Sequence, residues 1–268
     1  MSTVVFLGGG RITSAMLAGL HLSNTRHRLV VHDRNPDKLR KLKKKYNVAV
    51  ELDLDRAVER ADVLIVAVRP ASVGGLLGAI GKQKGQLRRR RILAVSLAAG
   101  VPLRLLTKLL GRPLQWARAM PSPLCRSGRG LTAVTYSRGF PAAGRKLLSD
   151  LFATFGQVVE IRESKFDLFT VTFSPSHGYH AVASLARAAQ AAGLDRKTAF
   201  LTSAHALADG IIAWREERLS LELLLEEAAT PGGTAAATMA ALDAAGYQQA
   251  VRKGLAAGLR RARANAGQ

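Results

Sequence analysis

Short apolar runs alternate with amphipathic stretches through the first three fifths of the chain. The runs fall at 4–7, 28–31, 63–68, 92–97, 116–120, 131–136 and 158–161. Such runs suit strands buried on both faces, and helical spacing between them suits crossovers, so residues 1–163 are expected to form a Rossmann-type, doubly wound, mostly parallel α/β sheet. Before the last run, Leu147, Leu148, Leu151, Phe152 and Phe155 mark one face of a helix that Gly156 is expected to terminate. Past residue 163 the strand pattern stops. Residues 164–268 are expected to form an all-α domain. Its helices run over 178–192, ended by Gly193; from Asp195 to 214; from Ser220; over 236–245; and over 247–263, with Gly246 between the last two and a tail from Arg260 expected to fray. Stretches such as Ala-Ala-Gln-Ala-Ala-Gly at 188–193 pack closely but cannot build a thick core alone. A homodimer or higher homo-oligomer through these helices is therefore expected.

Composition narrows the classes. Apolar residues make up 48% of 268, enough for two folded domains. No run approaches the roughly 20 apolar residues of a membrane span, and the first apolar run ends in glycines rather than continuing as a leader, so a cytoplasmic, non-membrane protein is expected. Cys125 is the single cysteine, which excludes an internal disulfide and leaves no metal site in view; a buried, inert thiol is expected. The formal charge of +21 raises nucleic acid as a partner. The basic clusters, Lys38 to Lys45 and Lys82 to Arg91, lack interleaved aromatics, and only 5% of residues are aromatic. Solvated basic surfaces are the expected reading, and nucleic acid is not expected as a partner.

Gly8-Gly9-Gly10 follow the first apolar run and open a helical pattern. Glycines there let backbone N–H groups and a helix N-terminus approach a pyrophosphate. The third small position of the usual fingerprint is Thr13. A second reading is a tight strand-to-helix turn and nothing more. After the next strand come Asp33, Arg34 and Asn35; Asp33 suits a ribose hydroxyl, as NAD binders prefer, whereas Arg34 and Asn35 suit a 2′-phosphate, so NADPH is favoured over NADH.

Four blocks in order, Phe-Leu-Gly-Gly-Gly-Arg-Ile at 6–12, Ala-Val-Arg-Pro at 67–70, Val-Ser-Leu-Ala-Ala-Gly at 95–100 and Arg-Ala-Met-Pro at 118–121, together with Thr-Pro-Gly-Gly-Thr at 230–234, resemble Δ1-pyrroline-5-carboxylate reductases over nearly the whole chain. That family reduces a cyclic imine to proline with NADPH and dimerises through its helical domain. The resemblance implies cofactor contacts from Leu7, Gly8, Gly9, Gly10, Arg11 and Ile12 at the pyrophosphate. It implies others from Ala67, Val68, Arg69, Pro70, Ala98, Ala99, Gly100, Met120 and Pro121 toward the nicotinamide riboside. Substrate contacts are implied for Ser122, Thr170, Ser174, Thr230, Gly232, Gly233 and Thr234.

The substrate blocks depart from the pattern. The family's Ser-Gly-Ser-Gly-Pro-Ala-Tyr run becomes Phe173 to Tyr179, where only the tyrosine matches; Met-Pro-Asn-Thr-Pro becomes Met120 to Leu124; Pro-Gly-Gly-x-Thr ends in Ala235, with Thr234 next to it. Kept cofactor blocks beside rewritten substrate blocks suggest retained redox chemistry on pyrroline-5-carboxylate or a related imine. The rewritten run makes His177, Tyr179 and Ser176 the candidate catalytic residues, since a histidine near neutral pKa can protonate an amine; His180 lies three residues on. Capping or a solvent-facing ring is the alternative for these side chains. No lysine occurs from Phe166 to Arg196, which disfavours the lysine-dependent hydroxyacid dehydrogenases. A degenerate member that binds nucleotide or a partner without turnover is the second hypothesis.

Overall fold

The computed structural model describes residues 1–82, 92–112, 114–217 and 220–265. Two compact units emerge: residues 1–172 together with the end of the chain from Ala257, and residues 173–256.

In the first unit one eight-stranded sheet has the order β3-β2-β1-β4-β5-β6-β7-β8. The strands are β1 (Thr3–Leu7), β2 (Arg28–His32), β3 (Ala49–Glu51), β4 (Val63–Val66), β5 (Leu93–Ser96), β6 (Gln115–Pro121), β7 (Gly130–Tyr136) and β8 (Gly156–Glu160). All neighbours pair in parallel except β6 with β7. Alternation along β1 explains the layering: Val4 and Phe6 belong to one buried cluster, Val5 and Leu7 to the other. β1 thus feeds a core on both faces, whereas the edge strands β3 and β8 hold no fully buried residue.

Helices α1 (Arg11–Leu22), α2 (Pro36–Tyr46), α3 (Leu54–Glu59), α4 (Pro70–Gly81), α5 (Leu103–Leu109) and α6 (Ala142–Ala153) follow their strands, with a 3₁₀ turn at Pro123–Ser127 between β6 and β7. Short-range chemistry sets several starts. Asn35 caps α2, its side-chain oxygen accepting from the N–H groups of Asp37 and Lys38, and Asp53 caps α3 in the same way. Strand β3 has no counterpart among the sequence runs, because three residues are too few to show alternation. Gly156 does not end α6. That helix stops at Ala153, and Gly156, at φ +123°, opens β8 opposite Gly130, whose carbonyl a side chain at 156 would strike.

Helix α7 (Glu163–Thr172) closes the first unit's run. The second unit holds α8 (Ser176–Ala191), α9 (Arg196–Glu217), α10 (Leu221–Ala228) and α11 (Thr234–Ala244), and α12 (Tyr247–Asn265) begins in it and ends in the first. The expected fraying from Arg260 is not seen as far as Asn265. Gly100, at φ +75°, lets its backbone meet the carbonyl of Ala262, and Asn265 donates its amide to the Ala99 carbonyl at 3.2 Å. Those two contacts pin the helix end.

Candidate nucleotide-binding site

The strand order reverses between β1 and β4, and the glycine turn lies at that switch point, outside the carboxyl ends of the strands. Gly8 sits at φ +114°, and a Cβ there would stand 2.7 Å from the carbonyl oxygen of Ala67. Only glycine lets the turns after β1 and β4 come this close. Leu7 is buried and contributes backbone only, its carbonyl accepting from the Ala67 N–H at 2.9 Å. Gly10 caps α1 without a side-chain hydrogen bond, and a Cβ at Gly10 would meet nothing within 4 Å. An uncapped helix start beside open space, flanked by the exposed Arg11, fits a pyrophosphate.

Thr13, the departure from the fingerprint, is fully buried and donates its hydroxyl to the Gly8 carbonyl at 2.5 Å. It replaces the small residue with a bond that holds the same turn.

The end of β2 is equally organised. The Gly9 N–H donates to Asp33 Oδ2 at 2.8 Å, the Asn35 N–H donates to Asp33 Oδ1 at 2.9 Å, and Lys38 Nζ lies 3.6 Å from Oδ2. These donors and the ammonium hold the Asp33 carboxyl below its usual range against the opposing effect of burial, which is the largest single influence on it. Arg34 is exposed; its neighbour Asp37 is paired with Arg40.

At the next edge Arg69 and Pro70 open α4 with no side-chain cap. Ala98 is buried, and Gly100 packs on Ala262, so of the third block only Leu97 and Ala99 are partly open. Met120 is half-buried at the end of β6 and Pro121 is buried. Arg118 stands in one of the matching motifs, yet the sequence alone suggests no role for it. Its side chain, 1% exposed, holds Glu163 Oε1 at 3.1 Å and Asp167 Oδ1 at 2.6 Å and lies over the Phe166 ring at 4.5 Å. Glu163 Oε1 also accepts from the Leu103 N–H at 2.9 Å. Strand β6, α5 and α7 are thereby tied together. A charged residue in the middle of the apolar run 116–120 is the available signal.

Residues 3–99 match the family model described as NADP oxidoreductase, coenzyme F420-dependent, and residues 163–265 match that of pyrroline-5-carboxylate reductase dimerisation. The two models together span most of the chain, and the curated relatives it matches along nearly its whole length are pyrroline-5-carboxylate reductases. The Corynebacterium melassecola pyrroline-5-carboxylate reductase is 26% identical over 253 residues, covering 93% of each chain. That of Mycobacterium tuberculosis is 28% identical over 274 aligned positions, covering 94% of this chain and 92% of the relative. Among solved structures, the Coxiella burnetii pyrroline-5-carboxylate reductase superposes with TM-score 0.86 at 25% identity over 98% of both chains. The Plasmodium falciparum enzyme, solved with NADP bound, shares the fold at TM-score 0.84 and 20% identity, covering 99% of this chain and 98% of its own.

The segments in which this chain departs from the reductase pattern lie apart from the glycine turn in sequence, most of them in the second unit. Thr170, on α7, spends its hydroxyl on the Phe166 carbonyl at 2.8 Å, and Ser122 caps the 3₁₀ turn by accepting from the Leu124 N–H at 3.2 Å. Ser174 and Ser176 hydroxyls meet at 2.7 Å before α8, whose first residue after the flanking Pro175 is Ser176. His177 and Tyr179 fall in the first turn of α8 and are exposed, as is His180, whose Nδ1 lies 3.5 Å from the Ser184 hydroxyl. Neither α8 nor α11 has a side-chain cap at its flanking residue, Pro175 or Gly233, but the Ser174 hydroxyl accepts from the Ser176 N–H at 3.4 Å at the start of α8. At α11 the Thr230 hydroxyl crowds Gly233, where a Cβ would stand 2.7 Å away, and Gly232 sits at φ +76°. Cys125 is fully buried and desolvation pushes its thiol up to about 11, the inert state expected of it. Among the described residues no group of three metal ligands converges and no helix is long and apolar enough to cross a membrane.

Proposed function

We propose that this chain transfers hydride from NADPH to the C=N carbon of a cyclic imine, pyrroline-5-carboxylate or a close relative, in the cytoplasm and as a homodimer built on its C-terminal helices. The observation that carries the reading is the glycine turn: Gly8 in a conformation only glycine adopts, facing Ala67, next to an uncapped helix start with space at Gly10. The family-model match and the NADP-bound relative support the same cofactor. NADPH supplies the hydride. The chain's own groups bind and orient. Backbone N–H groups at the start of α1 hold the pyrophosphate, Arg34 is offered to the 2′-phosphate, and the N-terminus of α11 offers donors to a substrate carboxylate. We assign to His177 the hand-over of a proton to the amine as it forms. A nucleotide-binding protein without turnover is the weaker reading, because the curated relatives that the chain matches along nearly its whole length are reductases.

The test is NADPH oxidation with a panel of cyclic imines that includes pyrroline carboxylates. Turnover on one of them is the expected result, and silence across the panel with NADPH still bound points to the non-catalytic reading. Gly10→Glu, which fills the pyrophosphate space with an anion, is expected to abolish NADPH binding measured by nicotinamide fluorescence.

A further inference from the structure

Asp33 occupies the place at the end of β2 where a carboxylate would accept a ribose hydroxyl, yet its oxygens already have partners. Oδ2 takes the Gly9 N–H and Oδ1 takes the Asn35 N–H. Asn35, the neighbour expected to help hold a 2′-phosphate, has its side-chain oxygen committed to the N–H groups of Asp37 and Lys38. Two of the three groups at this corner therefore build the turn. Lys38 is different. It stands one turn before Leu42 on the same face of α2, and Leu42 Cδ1 would touch a Cβ at Gly9 at 3.1 Å. Lys38 is thus aimed at the glycine turn, with its Nζ 3.6 Å from Asp33 Oδ2 and its side chain 53% exposed.

The geometry points to Lys38 as a cofactor-selecting residue, an ammonium that binds the 2′-phosphate of NADPH, and to Asp33 as a brace for the glycine turn rather than a ribose acceptor. The inference rests on the nucleotide-binding reading above. Its electrostatics are consistent: a bare carboxylate beside a phosphate dianion is repulsive, whereas Asp33 faces two N–H donors and Lys38 offsets its charge. An ammonium with three donors can keep Asp33 and take a phosphate oxygen as well.

The experiment uses the purified full-length chain and calorimetric binding of adenosine 2′,5′-bisphosphate and of AMP, which differ by the 2′-phosphate. Wild type is expected to prefer the bisphosphate. Lys38→Met is expected to weaken the bisphosphate by roughly tenfold or more and leave AMP within about twofold, while Lys38→Arg keeps most of the preference. Asp33→Asn is expected to weaken both nucleotides alike. A full preference in Lys38→Met, or loss of AMP affinity alone in Asp33→Asn, overturns the inference while leaving the cofactor site standing. Failure of wild type to bind either nucleotide, NADPH or NADH overturns the cofactor reading itself.

Discussion

The two units handle apolar surface in opposite ways. The sheet unit buries its large side chains within one chain: Phe6, Trp116, Phe152, Phe155 and Phe166 are all almost wholly covered. In the helical unit α10 and α11 bury no residue at all, and α9 leaves Ile211, Ile212 and Trp214 exposed. Apolar side chains left open on these helices suit the homo-oligomer that the match of 163–265 to a dimerisation family supports. The largest effect is expected from attacking that difference. Ile211→Glu with Leu223→Glu should convert the oligomer to monomer in analytical ultracentrifugation and remove much of the far-ultraviolet helical signal, with nucleotide binding by the sheet unit retained. An unchanged sedimentation profile would place the interface elsewhere.

A middle-sized effect should come from within the sheet unit, at Arg118. Cutting one member of a buried ion network typically costs about 3–5 kcal/mol, and the partial exposure of Glu163 and Asp167 moves Arg118→Met toward the lower end of that range. Chemical denaturation should show a lower midpoint with little change in slope. The triple variant Arg118→Met, Glu163→Gln, Asp167→Asn should recover part of the loss, because no carboxylate is then stranded and the amide oxygen introduced by Glu163→Gln can still accept from the Leu103 N–H. No recovery would mean that packing on Phe166, and not charge, is what Arg118 supplies.

How much can be read from the sequence follows from the range of the interactions. Strands β1, β2 and β4 to β7 are visible there because burial writes itself as an apolar run, edge strand β8 because Val158 and Val159 fall together in it, and the glycine turn because one residue type satisfies its geometry. β3 is too short to leave a pattern. Gly156 misleads because a glycine at positive φ ends a helix or starts a strand equally well, and the deciding neighbour, Gly130, lies across the sheet. Arg118 and its partners are 45 and 49 residues apart, so the pairing that makes the arginine tolerable in a core has no local signature. Thr13 gives its hydroxyl to the glycine turn, and Asp33 divides its oxygens between the Gly9 N–H of that turn and the Asn35 N–H after β2, contacts that the sequence does not announce.

The smallest effect tests that last point. Asp33 is charged in the fold and held below its ordinary value of 3.8, so the stability it contributes is present above about pH 4 and disappears as pH falls through the lowered folded value. Wild type should exceed Asp33→Asn in stability by roughly 1–2 kcal/mol at pH 7, and the two denaturation curves should converge on acidification below pH 3.8. Such convergence identifies the carboxylate's bonds to Gly9 and Asn35 as internal supports of the turn. A gap independent of pH would instead assign the difference to packing, and an absent gap at neutral pH would return Asp33 to the role of a ribose acceptor waiting for its ligand.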